Sequence, residues 1–165
     1  MGLCASEVVL DRVGAGDAGW LIRRHAELYA QEAGFDASFK TVVARIVASF
    51  LDGHDPARER GWVARAGERR LGSIFCGLGP DAATARLRLF LLEPEARGIG
   101  LGRRMLDTCL DFARGAGYAR IMLRTHESHR AACALYARSG FLCARSYPVR
   151  SFGVDLVEQE WARDL

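Results

Sequence analysis

Lysine is all but missing from this chain. Lys40 is the sole lysine, so 22 of the 23 basic side chains are arginine, and no basic run exceeds two residues. With a formal net charge of only +3, there is no stripe of the kind that binds nucleic acid. Long apolar runs are missing too. Nothing approaches the roughly 20 residues that span a bilayer, and no charged-then-apolar leader opens the sequence. The expectation is a cytoplasmic protein that engages neither nucleic acid nor membrane. The five cysteines (Cys4, Cys76, Cys109, Cys133, Cys143) form no C-x-x-C pair and are odd in number. They fit reduced, partly buried thiols better than a disulfide framework. His126 and His129 are close in sequence but have no third ligand beside them, so no metal is expected. Met1-Gly2-Leu3-Cys4-Ala5-Ser6 fits a lipidation pattern that is short enough to recur by chance.

What is present is ordinary globular composition: 165 residues, 50% hydrophobic and 26% charged. That predicts one domain, residues 1–165, with a substantial core. Residues 7–12 read as a short strand. Asp17 is placed to cap a helix that runs to Ala33 and stops at Gly34. A second helix begins near Asp36 or Ser38, with Phe39, Val42, Val43, Ile46, Val47, Phe50 and Leu51 on one face. Residues 62–66 and 71–77 flank Gly67-Glu68-Arg69-Arg70 as a hairpin. Residues 84–92 form the next strand, Leu87, Leu89 and Leu91 facing one way and Arg86 and Arg88 the other.

A glycine-rich stretch follows that strand: Arg97-Gly98-Ile99-Gly100-Leu101-Gly102, then Arg103 and Arg104 opening an amphipathic helix over residues 102–116. A strand, a glycine loop and a helix N-terminus together make a cradle of N–H groups for a pyrophosphate. A dinucleotide fold would want G-x-G-x-x-G directly after its strand and an acid at the next strand end. Here the glycines are spaced G-x-G-x-G, the turn is longer, and the next strand (residues 121–125) ends in Arg124 and Thr125. A helix carrying Tyr136 comes next, then strands over residues 141–147 and 152–161. The helix after the loop makes its two flanking strands parallel, giving one central βαβ unit. The expected fold is a twisted mixed α/β sheet of six to seven strands with helices on both faces.

The loop R-x-x-G-x-G and the segment Ala132 to Phe141, with Leu135-Tyr136 and Gly140-Phe141, resemble the two signatures of the GNAT N-acetyltransferases. The stretches around Trp20, His25 and Tyr29 and around Phe152 to Val157 are similar to a bacterial subgroup often fused to winged-helix (MarR-type) regulators. No part of this sequence corresponds to such a regulator. The resemblance implies acetyl-coenzyme A as cosubstrate, a small-molecule amine acceptor, and a homodimer as one assembly the family uses. It also implies that amides of Gly98 to Arg103 hold the pyrophosphate, with Arg97, Arg103 and Arg104 adding charge. The backbone of Phe90, Leu91 and Leu92 would pair with the pantetheine arm and polarise the acetyl carbonyl.

By the same resemblance Tyr136 is the general acid, while its spacing with Ala132 and Leu135 equally suits a core tyrosine. His129 stands where the family often has an asparagine that contacts pantetheine, and histidine offers only part of that hydrogen bonding. The base is open: Arg124 occupies the place of a glutamate used by some relatives. His25, Glu27, Glu93, His126 and Glu127 are candidates, and His25 and Tyr29 would border the acceptor. The leading expectation is direct acetyl transfer to a small molecule or amino acid within a ternary complex. A non-catalytic acyl-coenzyme A sensor and a protein or peptide N-acetyltransferase are the alternatives.

Overall fold

The computed structural model describes residues 2–165. Seven strands build a single mixed sheet: β1 (Val9–Arg12), β2 (Arg60–Ala66), β3 (Arg69–Leu78), β4 (Thr84–Leu92), β5 (Arg120–His126), β6 (Leu142–Ser151) and β7 (Val154–Asp164). Their order is β1-β2-β3-β4-β5-β7-β6, and only β4 and β5 run parallel. The helices are α1 (Ala18–Ala33), α2 (Ala37–Gly53), α3 (Leu101–Gly115) and α4 (Arg130–Arg138). α3 is the crossover between the parallel strands, as the glycine loop and the amphipathic run after it demand. The mixed α/β architecture is therefore as expected. Among the described residues, no helix is long and apolar enough to cross a membrane. Met1, the first residue of the lipidation pattern, lies outside the described residues.

Two cores sandwich the sheet. On one face, α1 and α2 bring Leu21, Val43, Val47 and Phe50 against Phe75 of β3. On the other, Met105, Leu106 and Cys109 of α3 and Tyr136 of α4 meet Ile74, Leu87, Ile121 and Leu123. The apolar face of α2 departs from the expectation at one point: Val42 is 39% exposed and lies outside the cluster that Val43 and Val47 join.

Several local readings change. Arg69 and Arg70 belong to β3, leaving Gly67-Glu68 as the turn. The β6–β7 hairpin turns only at Phe152 and Gly153, so β6 continues to Ser151. Asp17 occupies the N-cap position of α1 but makes no cap bond to it. Its carboxylate accepts instead from the Gly14 N–H at 3.0 Å and the Arg70 Nε at 2.8 Å, and also from Arg65. Burial alone would raise this carboxyl, yet these donors outweigh it and hold its pKa below the usual range. The sign follows. A depressed folded pKa supplies stability that is complete above the unfolded value near 4 and is lost as pH falls below it through the lower folded value. Asp17→Asn should cost about 2 kcal/mol at pH 7, measured by urea denaturation, with the difference from wild type shrinking towards pH 3.

The strongest departure lies in β4. Its register with β3 steps from Ser73↔Leu91 to Phe75↔Arg88, so β4 carries one extra residue. Leu89 sits there at φ +48, a backbone region that leucine rarely visits. The Ser73 hydroxyl braces the bulge by donating to the Leu89 carbonyl at 2.7 Å. Alternation flips across it. Leu87 packs with the α3 side, Leu89 with the α1–α2 side, and Phe90 and Leu92 return to the α3 side. The simple leucine stripe is therefore broken. The bulge also bends β4 away from β5, whose pairing is confined to Thr84–Arg86 against Arg120–Met122.

Candidate active site

Where β4 and β5 part, a cleft of about 580 Å³ opens. Its walls include Phe90, Leu91 and Leu92 from β4, Gly98, Gly100, Gly102 and Arg103 from the loop and α3, and His129 with Ala131, Ala132 and Leu135 around α4. Nearly all the residues that the glycine loop and its strand nominated thus meet in one place. Ile99 and Leu101 are the exceptions by side chain: both pack into the core, leaving only their backbone to the loop.

The glycines have distinct jobs. Gly98 and Gly100 sit at φ +77 and +83 with nothing within 4 Å of where a Cβ would stand, so they are needed for backbone shape. Gly102 is needed for space: a Cβ would lie 3.0 Å from Leu92 Cδ1. Gly100 is the N-cap of α3, and no side chain caps that end. The first-turn N–H groups of α3 therefore face the loop with no side-chain acceptor, at the positive end of the helix.

The arginines sort differently from the expectation. Arg104 turns away and donates to the carbonyls of Ala5 and Val8, both at 2.7 Å. Its role is to tie the chain start to α3. Arg97 lines the cleft but is engaged by the Leu92 carbonyl at 3.0 Å and by Glu32 at 2.7 Å. Arg103 is held lightly by Asp107 at 3.1 Å. Arg130 and Arg138 also line the cleft. Sequence reading missed both, since neither lies in the loop and only the packing of α4 brings them round.

A smaller chamber of about 200 Å³ adjoins the cleft, walled by Phe35, Phe39, Phe152, Arg124, His126, Glu158 and others. Tyr29 and His129 line both cavities, their ring centroids 5.0 Å apart. Tyr29 also touches Phe39 at 4.5 Å between centroids, and burial pushes its hydroxyl up to about 12. His129 is pushed down to about 4, by burial first and then by His126, whose ring lies 3.7 Å away. Both histidines are therefore neutral at pH 7; for His126 burial is again the first cause of its lowered pKa, against the pull of Glu158.

Two candidate bases are corrected by their surroundings. His25 is 2% exposed, lines neither cavity, and has Nδ1 fixed on the Leu21 carbonyl at 2.7 Å. Burial depresses it to about 4, so it is a packed core histidine beneath Tyr29 and borders neither the cleft nor the smaller chamber. Glu93 is clamped by Arg24 through two bonds of 2.7 Å, which occupy both carboxylate oxygens. Its clamp fixes the end of β4 to α1. Tyr136 is buried in the α3-side core, its ring 6.4 Å from Phe90 and 5.7 Å from Phe141. Its ring neighbours Phe90, which lines the cleft. Its hydroxyl makes no hydrogen bond to any described residue, and burial raises its pKa well above the tyrosine range. Glu158 was not anticipated. It lies far from the motifs in sequence and reaches the chamber through the β5–β7 register alone, directly opposite His126. Among the described residues, no group of three or more potential ligands is arranged to hold a metal.

Comparison with known proteins bears on this geometry. The model of the acetyltransferase (GNAT) family matches residues 22–141. A mycothiol acetyltransferase of Geodermatophilus obscurus is 34% identical over 85 residues, covering 48% of this chain and 28% of that protein. This chain spans less than half the length of the first curated relatives it matches. Among solved structures, a Salmonella typhimurium protein seen with its cofactor acetyl-CoA superposes with a TM-score of 0.79 at 17% identity, covering 96% of this chain and 94% of that one. The spermidine N-acetyltransferase of Vibrio cholerae, in complex with CoA and spermine, gives 0.74 at 18% identity, with 96% of each chain covered. At such identities these two structures speak for the fold.

Proposed function

The chain belongs to the GNAT acetyltransferase family, and from that footing we propose that it moves an acetyl group from acetyl-coenzyme A directly to the amine of a small molecule. The observation that carries this reading is the shared wall: two cavities, one cradle-like and one aromatic, meet at Tyr29 and His129. A thioester in one and an amine in the other would come together there without a covalent enzyme intermediate.

The cleft fits the donor. Its uncapped α3 N-terminus, the open space over Gly98 and Gly100, and Arg103, Arg130 and Arg138 suit a pyrophosphate. Acetyl-coenzyme A would supply the activated acetyl group. Beyond Arg86, the edge of β4 towards β5 has no strand partner among the described residues, so the backbone of Phe90 would be available to hold an extended arm and to donate to a developing oxyanion, while Leu91 is paired with Ser73 of β3. Arg97 already occupies the Leu92 carbonyl, which removes that acceptor from the set. Tyr136 would donate its hydroxyl hydrogen bond at the sulfur. The proton lost by the amine would fall to side chains of the chamber, where His129 stands at the junction.

The test is to incubate the protein with acetyl-coenzyme A and a broad amine panel, detecting free thiol, with calorimetry of acetyl-coenzyme A alongside. Thiol release that requires an amine is the expected result. Binding without release from any amine would leave an acyl-coenzyme A sensor, and no binding would overturn the proposal. The chamber of about 200 Å³ favours small acceptors over a folded protein surface.

A further inference from the structure

The chamber beside the cleft has a chemistry of its own. Three phenylalanines, from the α1–α2 junction, α2 and the β6–β7 turn, surround it. Phe35 and Phe39 are 5.1 Å apart between centroids, and Phe152 is 4.8 Å from Phe35 and 5.1 Å from Phe39. Phe152 is held at φ +53 in a two-residue hairpin turn where asparagine or glycine is the easy choice. Its ring packing on Phe35 and Phe39 compensates that strain. The Asp36 N–H donates to the Phe152 carbonyl at 2.9 Å and locks the turn in place.

The polar side of the chamber is a cross-strand row. Glu158 stands opposite His126 on β5 and Tyr147 on β6. In the next row, Glu160 is paired by Arg124 at 3.1 Å and by Arg145 at 3.7 Å. Glu158 has no such partner among the described residues: the Tyr147 hydroxyl donates to one of its oxygens at 2.7 Å, and no cation pairs with it. One unpaired carboxylate beside electron-rich ring faces is a site for an ammonium group. The rings themselves want a flat apolar body.

We propose that the acceptor is an arylalkyl primary amine without a carboxylate, its ring among Phe35, Phe39 and Phe152 and its ammonium held by Glu158 on binding. This rests on the acetyltransferase reading and adds the class of acceptor. An amino acid is disfavoured because its carboxylate would face Glu158, while Arg124 is already committed to Glu160. A polyamine is disfavoured because the wall offers one free carboxylate and rings where further ammonium groups would lose water.

The test is calorimetric titration of 2-phenylethylamine into protein saturated with coenzyme A, with phenylalanine and putrescine as comparators. Binding of 2-phenylethylamine about tenfold or more tighter than either comparator is expected. Phe39→Ala and the isosteric Glu158→Gln should each weaken it about five- to tenfold, with acetyl-coenzyme A affinity unchanged as proof of folding. Equal or tighter binding of phenylalanine or putrescine would overturn the inference, as would indifference to both variants. In that case the acetyltransferase reading still stands or falls on thiol release. If 2-phenylethylamine binds as expected but no amine releases thiol, the inference about the chamber holds and the catalytic reading fails.

Discussion

Tyr136→Phe is expected to lower kcat by about a hundredfold or more with no loss of stability and no change in acetyl-coenzyme A affinity. The substitution removes one oxygen from a ring that keeps its neighbours Phe90, Phe141 and Trp161. Because the hydroxyl makes no hydrogen bond to the described residues, nothing is orphaned by its removal, and the fold should be neutral or slightly stabilised. Burial holds the group protonated well past the ordinary tyrosine range. The ratio of wild-type to variant rates should therefore stay constant between about pH 6 and 9. Steady-state kinetics on the best amine, with thermal denaturation in parallel, checks this. Unchanged kcat would reduce Tyr136 to a packing residue.

The second large effect concerns its neighbour. Phe141→Ala should destabilise the protein by about 3–5 kcal/mol, read from the midpoint of urea denaturation. Phe141 is 1% exposed and is among the largest fully buried side chains. It enters the core directly after Gly140, at φ +81, turns the chain out of α4, and its N–H donates to the Tyr136 carbonyl at 3.0 Å. The space left by its ring would lie beside Tyr136, where α3 and the sheet have little freedom to collapse. The adjacent Leu142 is 77% exposed, so Leu142→Ala should change stability by less than about 0.5 kcal/mol. A similar loss for both would place the strand start elsewhere.

The glycine loop was readable because its requirements are local: positive φ at Gly98 and Gly100 and closeness at Gly102 belong to neighbouring residues. The order of strand, loop and helix then set the parallel pair. The bulge in β4 was not readable. Leucines at 87, 89 and 91 alternate in sequence, and only the β3 register reveals the extra residue. His25 misled because its helical face is shared with Leu21 and Leu28, and sequence does not tell a wall of a cavity from the packing beneath it. Arg104 misled for the opposite reason, as a charge beside a phosphate-type loop whose partner is the distant chain start. Glu158 carried no signal, since its importance arises from what stands across from it on β5 and β6.

The clasp between the α1–α2 junction and the β6–β7 turn sets an order of assembly. Most of the larger cleft is walled by β4, the glycine loop, α3 and α4, which follow one another from Thr84 to Arg138 and so form through the shorter closures. The chamber needs Phe35 and Phe39 from near one end of the described chain to meet Phe152 and Glu158 from near the other. Closing so long a loop is entropically the more costly step. During refolding or synthesis, most of the larger cleft should form before the smaller chamber. On the proposed function, the choice of amine would be the last property that the folding chain acquires.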